Sequence, residues 1–191
     1  YRSTLHDRFL RIAARRIVVV TSIAAIAISG IPSRALAATV DWGVSRSGEP
    51  GVYSWQLLDN WTVAGQPTTV YPNAIGDVAN LNLLELSGNQ IINLDGLVSI
   101  GTLNIGDLNG RQSYTIAAGT GGSLTFNGGT SSALNKFGIG TDVITANIAL
   151  TDAAPLTLNV DDGRLALAGV VSGTGGLVKN GDGTLILSGA N

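Results

Sequence analysis

From about Ala79 to the end of the chain, apolar and polar residues alternate with a period of two. "ANLNLLEL", "QIINL", "GTLNIG", "SYTIAA", "GSLTFNG", "VITANIAL" and "PLTLNV" follow one another between Gly, Asn and Asp clusters. Successive side chains of a strand point to opposite faces, so this period places one set on a buried face; a helix would scatter the same set around its axis. Short strands separated by turns are therefore predicted, and no segment reads as a helix. The pattern is densest in "GTGGLVKNGDGTLILSGAN", residues 173 to 191. Its glycines read as turns, leaving strands near 176–179 and 184–187.

The alternation also repeats on a longer scale. "DGRLALAG" at 162–169 and "DGTLILSG" at 182–189 share the frame Asp-Gly-x-Leu-x-Leu-x-Gly, with looser copies at 121–128 ("GGSLTFNG") and 101–106 ("GTLNIG"). Units recurring at about 20 residues stack on one another, because one unit alone cannot bury its apolar face. The expected fold is all-β, a right-handed parallel β-helix (solenoid) over residues 79–191, with about five or six coils.

Residues 38–78 break the alternation and hold Trp42, Tyr53, Trp55, Trp61 and Tyr71. A solenoid's first coil exposes apolar edges, and bulky rings in a loop-rich segment suit an amino-terminal cap. The functional alternative is sugar stacking on Trp55 and Trp61. Upstream, a basic stretch with Arg15 and Arg16 precedes the uncharged run "IVVVTSIAAIAISGI" at 17–31, followed by Pro32 and "ALA" at 35–37. That is the anatomy of a signal peptide over 1–37, cleaved after Ala37, and the run is too short for a membrane-spanning helix. No Met occurs, so Tyr1 is not expected to be the natural start, and the chain reads as a fragment continuing beyond Asn191.

Charge and composition narrow the function classes. Past residue 37 the basic side chains are Arg46, Arg111, Lys136, Arg164 and Lys179, and the net charge is about −7. Phosphate binding needs clustered Lys and Arg, so nucleic acid and anionic membrane are poor partners. There is no cysteine, and the single histidine, His6, lies in the leader. Ser-His and Cys-His catalysis, thiolate sites and imidazole zinc sites are therefore not available to residues 38–191.

The closing stretch resembles the autotransporter-associated β-strand repeat, GxGxLxKxGxGxLxLxGxN. Its fixed positions are met at Gly173, Gly175, Leu177, Lys179, Gly181, Gly183, Leu185, Leu187, Gly189 and Asn191. Trp42, Trp55, Asn60-Trp61, Pro72, Gly76-Asp77 and Ala79 are similar to the W…NW…P…GD.A opening of bacterial surface proteins that carry the repeat. The resemblance implies a passenger-type β-helix exported to the cell surface, outer membrane or beyond. It implies no catalytic residue, no metal and no cofactor. The expected role is a non-enzymatic stalk or adhesin scaffold, with extracellular polysaccharide or other cell-surface components as partners. Membrane attachment would come through an anchor or translocator outside this chain.

The rival reading is a β-helix carbohydrate-active enzyme (polysaccharide lyase or hydrolase) or carbohydrate-binding domain. It requires carboxylates from adjacent coils to converge, and Asp152, Asp161 and Asp162 are the candidates. Against it, Asp161-Asp162 precedes Gly163 and Asp182 precedes Gly183, the placement turns ask for. Calcium at these turns is conceivable chemically, but the nonapeptide Gly-Asp pattern of calcium-binding β-helices is missing. Lys179 shares the parity of Leu177 and Leu185, so its stem is expected along apolar surface with the ammonium at turn carbonyls or Asp182.

Overall fold

The computed structural model describes residues 36–43 and 48–191. The expected signal peptide lies outside the described residues except for its last two positions, and so does Arg46. The described chain begins with β1 (Thr39–Trp42) and β2 (Gly51–Ser54), a single 3-10 turn at Leu58–Asn60, and the short strands β3 (Trp61–Val63) and β4 (Gln66–Pro67). Three-stranded coils follow: β5 (Val78–Leu81), β6 (Gln90–Leu94) and β7 (Leu97–Ile100), then β8 (Thr102–Ile105), β9 (Tyr114–Ala118) and β10 (Ser123–Phe126). Next come β11 (Ala133–Lys136), β12 (Thr141–Ile144) and β13 (Asn147–Leu150), then β14 (Leu156–Val160), β15 (Arg164–Leu167) and β16 (Val171–Gly173). β17 (Leu177–Asn180) and β18 (Thr184–Leu187) close the chain.

From β5 onward every third strand lands on the same face. β1, β5, β8, β11, β14 and β17 stack in parallel on a first face, β2, β6, β9, β12, β15 and β18 on a second, and β7, β10, β13 and β16 on a third. The result is a parallel β-solenoid of about five turns, as the alternation predicts. The strand and turn unit at the carboxyl end is accordingly a corner, since β17 and β18 belong to different sheets. Coil length departs from the expected 20 residues. Equivalent first-face positions lie 24, 31, 24 and 21 residues apart, and only the last step approaches 20. The extra residues sit at the corners, as in the loop between β8 and β9, where they leave the strand register intact. For the same reason the looser copies at 121–128 and 101–106 are not equivalent to 162–169: they form β10 on the third face and β8 on the first, whereas β15 lies on the second.

Inward positions build columns along the axis. On the first face Val40, Ala79, Leu103, Leu134 and Leu158 are in register and wholly buried, and on the second Ile92, Ile116, Ile144 and Leu167 repeat the arrangement. Coils approach closely enough to exclude side chains at some corners. A Cβ on Gly122 would sit 1.7 Å from the Leu94 carbonyl oxygen.

The outward middle position of the first face is a ladder. Asn80 Nδ2 donates to Asp41 Oδ1, Asn104 to Asn80, Asn135 to Asn104 and Asn159 to Asn135, each at 2.7 Å, and Asn180 donates to Asn159 at 3.0 Å. An amide both donates and accepts, so it suits every interior rung. Asp41, which only accepts, ends the ladder, since the strand beyond it is β3, which places Thr62 and no amide opposite. Asn135→Ala removes two ladder bonds and is expected to cost about 1–2 kcal/mol in denaturant melts. Asn180→Ala removes one and should cost about half as much.

Candidate functional site

The aromatic segment forms a plug. Trp42, Trp55 and Trp61 are buried, with Trp42 and Trp61 centroids 4.9 Å apart and Trp55 and Trp61 4.8 Å apart, both edge-on. Each indole N–H has an acceptor: Trp42 donates to Gln90 Oε1, Trp55 to the Pro72 carbonyl and Trp61 to the Trp55 carbonyl. β3 pairs antiparallel with β1, and β4, carrying Pro67, pairs with β3 and forms the sheet's outer edge. A two-residue edge strand holding proline is a poor template for further pairing.

The other residues of the opening motif support the same end. Asn60 is buried and donates to the Ser54 carbonyl. Asp77 accepts from the Ala38 and Asn73 N–H groups, and Ala79 is wholly buried. Trp55 and Trp61 therefore present no face on which a sugar ring can stack. Titration with soluble oligosaccharides is expected to leave tryptophan emission unchanged. A depression of about 330 Å³ lies beside the plug, lined by Leu58, Asp59, Trp61, Thr62, Pro67 and Thr68, with one carboxylate and no cation among these residues; Trp61 is only 1% exposed at its wall.

The candidate carboxylates do not converge. Asp152 is buried, and its oxygens accept from the Gly128 and Gly129 N–H groups and from Ser132 Oγ, bracing a corner of the preceding coil. Asp161 and Asp162 are exposed at the corner between β14 and β15, where Gly163 takes a left-handed φ of 66°. Asp182 is exposed at the next corner, although the left-handed residue there is Gly181, at φ 81°, rather than Gly183. Asp107 serves as Asp152 does, accepting from Leu86, Arg111 and Gln112 N–H groups. Among the described residues no group of three His, Cys, Asp or Glu could hold a metal ion.

The closing motif has a physical role for most of its fixed positions. Leu177 and Leu185 lie in register with Leu156 and Leu165 of the preceding coil. A Cβ on Gly173 or Gly189 would come within 2.1 Å of a carbonyl oxygen one coil below. Asn191 Oδ1 accepts from the Val171 N–H. Lys179 is in register with Leu158, and its Nζ donates to the Gly181 carbonyl at 2.6 Å, so the ammonium reaches the turn as the parity argument requires, with Gly181 as the acceptor.

A second lysine occupies the same motif and was not singled out by sequence reasoning. "LNKFGIGT" at 134–141 and "LVKNGDGT" at 177–184 share Leu-x-Lys-x-Gly-x-Gly-Thr. Lys136 likewise donates to the carbonyl two residues on, that of Gly138, and also to that of Phe137. The difference follows the motif, where Asp142 stands in place of Leu185. Lys136 Nζ lies 3.2 Å from Asp142 Oδ2, and both side chains are withdrawn from solvent. Asp142 Oδ1 accepts from the Tyr114 N–H at 2.7 Å. Burial raises the Asp142 carboxyl above its ordinary range, against the lowering pull of the Tyr114 N–H and the Lys136 ammonium.

The Tyr114 hydroxyl is buried without a hydrogen-bond partner, and burial, then the charges of Asp142 and Asp107, raise its pKa. Tyr114→Phe is expected to stabilise the fold by about 1 kcal/mol at neutral pH, because it deletes an unpaired buried hydroxyl. The two proteins should also diverge in alkali. Above the ordinary tyrosine pKa of about 10, the unfolded chain loses the phenol proton while the folded chain keeps it, so wild-type stability falls as pH rises there. Urea melts across that range should show a smaller slope for Tyr114→Phe.

Compared with protein-family models, with curated proteins and with solved structures, the chain finds no match.

Proposed function

We propose that the chain belongs to an exported bacterial surface protein, as an autotransporter passenger-like β-helical stalk or adhesin scaffold without catalytic activity of its own. The observation that carries this reading is the use of its buried carboxylates. Asp77, Asp107 and Asp152 each bind backbone N–H groups of corner segments and Asp142 accepts from the Tyr114 N–H, which ties all four buried carboxylates of the described residues to the scaffold. A structure whose coils differ mainly in corner length transmits position along an axis, which is what a stalk does. Export is supported by the basic, apolar and A-x-A succession of residues 1–37, and the cysteine-free composition is compatible with it. The resemblance of 173–191 to the autotransporter-associated repeat supports the surface assignment.

The test is expression with a carboxyl-terminal epitope in a Gram-negative host, followed by fractionation and amino-terminal sequencing. Exported material should begin at Ala38, and a leader-bearing protein confined to the cytoplasm or retained in the inner membrane would overturn export. The non-enzymatic half is tested separately. Purified 38–191 should turn over neither acidic nor neutral polysaccharides, and turnover abolished by Asp161→Asn or Asp162→Asn would reverse it.

A further inference from the structure

Lys136 and Asp142 place charge at strand positions that are uncharged in the neighbouring coils, although Asp107 is buried at the corner below. On the first face Lys136 is in register with Ile105 below and Val160 above, and on the second Asp142 is in register with Leu165 above. A buried ion pair there must repay the desolvation of both groups, and the aliphatic Ile105, Val160 and Leu165 at the matching positions show that the fold does not require it. Sites that break a local rule without structural need are where chemistry is to be sought. Here the chemistry is an amine and a carboxyl in contact, secluded from water.

We propose that Lys136 Nζ and Asp142 Cγ join in an intramolecular amide bond that staples the corner between β11 and β12. The surroundings suit each step. The ammonium passes one proton to Oδ2, giving a neutral amine and a carboxylic acid, a transfer that exclusion of water favours. The two remaining N–H bonds point to the Phe137 and Gly138 carbonyls, so the nitrogen lone pair faces Asp142. The nitrogen attacks Cγ, and the charge that develops on Oδ1 falls where the Tyr114 N–H already donates. A second proton then passes from nitrogen to the Oδ2 hydroxyl, the Cγ–Oδ2 bond breaks and water leaves. No oxidant or other reactant is needed, and the amide keeps one N–H for a corner carbonyl. In a chain without cysteine this is a covalent brace that needs no disulfide.

Tryptic mapping of the purified, unfolded chain decides it. Between Arg111 and Arg164 the only cleavage site is Lys136, so a free lysine yields fragments 112–136 and 137–164. The amide instead yields one uncut fragment, 112–164, lighter by one water. Both signs are required, since a succinimide at Asp162-Gly163 would also lose water yet leave Lys136 cleavable. Asp142→Ala should restore the two fragments. Asp142→Asn should produce the same uncut fragment as wild type, because its side chain reaches the identical amide by losing ammonia. Fragments 112–136 and 137–164, each at its unmodified sequence mass, from wild-type protein whose β circular dichroism and cooperative melt show it folded, would overturn the proposal. So would an uncut light fragment that persists in Asp142→Ala.

Discussion

Replacing Lys136 with methionine is expected to destabilise the solenoid by about 3–5 kcal/mol in denaturant melts. The stem is matched in volume, so the loss comes from Asp142, which is left withdrawn from solvent with no cation beside it, and from the lost amide brace. Adding Asp142→Leu, the residue found at the matching position of the next coil, should recover the part of the loss that comes from the buried charge, leaving the part that comes from the lost amide brace. The single variant should also acquire a pH dependence of defined sign. Its folded-state carboxyl titrates above the unfolded value, so the folded chain holds the proton more tightly between the two. Stability is then highest below the ordinary carboxylate range and is lost as pH rises through the raised value. A melt series in which Lys136→Met shows no such slope, or matches wild type at neutral pH, would place the pair in contact with water.

Trp61→Ala is expected to cost about 3–5 kcal/mol, the range for deleting a large buried aromatic. Trp61 stands between Trp42 and Trp55, donates to the Trp55 carbonyl, and opens the strand that covers β1. Its removal empties the centre of the plug and loosens the cover over the first-face edge together. The melt should show the loss, and hydrogen exchange should show where it falls. Protection is expected to drop first in β1 and β5, next to the plug, and least in β11 and β14. Uniform loss of protection would mean that the solenoid unfolds as one cooperative body rather than from its capped end.

How far the structure was legible depended on the range of the interaction. The strands near 176–179 and 184–187 were readable because a strand's faces alternate within a few residues, and β17 and β18 occupy nearly those bounds. The Asp-Gly turns were readable because turn chemistry is local as well. The ladder was not read, although apolar-Asn-apolar triplets at 80, 104 and 159, with Leu-Asn-Lys at 135, signal it. Their spacing is irregular, since corner loops lengthen without disturbing register, and a search for a constant period passes over them. Lys136 was overlooked for a related reason: its motif copy lies two coils from Lys179, and its distinguishing partner, Asp142, falls outside the shared frame.

By itself, the sequence determined that the chain is all-β, that its strands turn at Gly and Asp, that its coils stack, and that residues 38–191 contain neither histidine nor cysteine. These follow from side-chain period, backbone permissiveness and composition, each a property of neighbouring residues or of a count. Only the tertiary structure decided which strands share a face, because corner length, which sets the register, varies from coil to coil. It also decided that three tryptophans pack on one another rather than on a ligand, since an aromatic side chain carries the same signal whether its face is covered or open. And it decided that one lysine meets a carboxylate inside the core. That contact depends on the direction in which two side chains leave adjacent strands across a corner, a quantity fixed by the fold and written in no single residue.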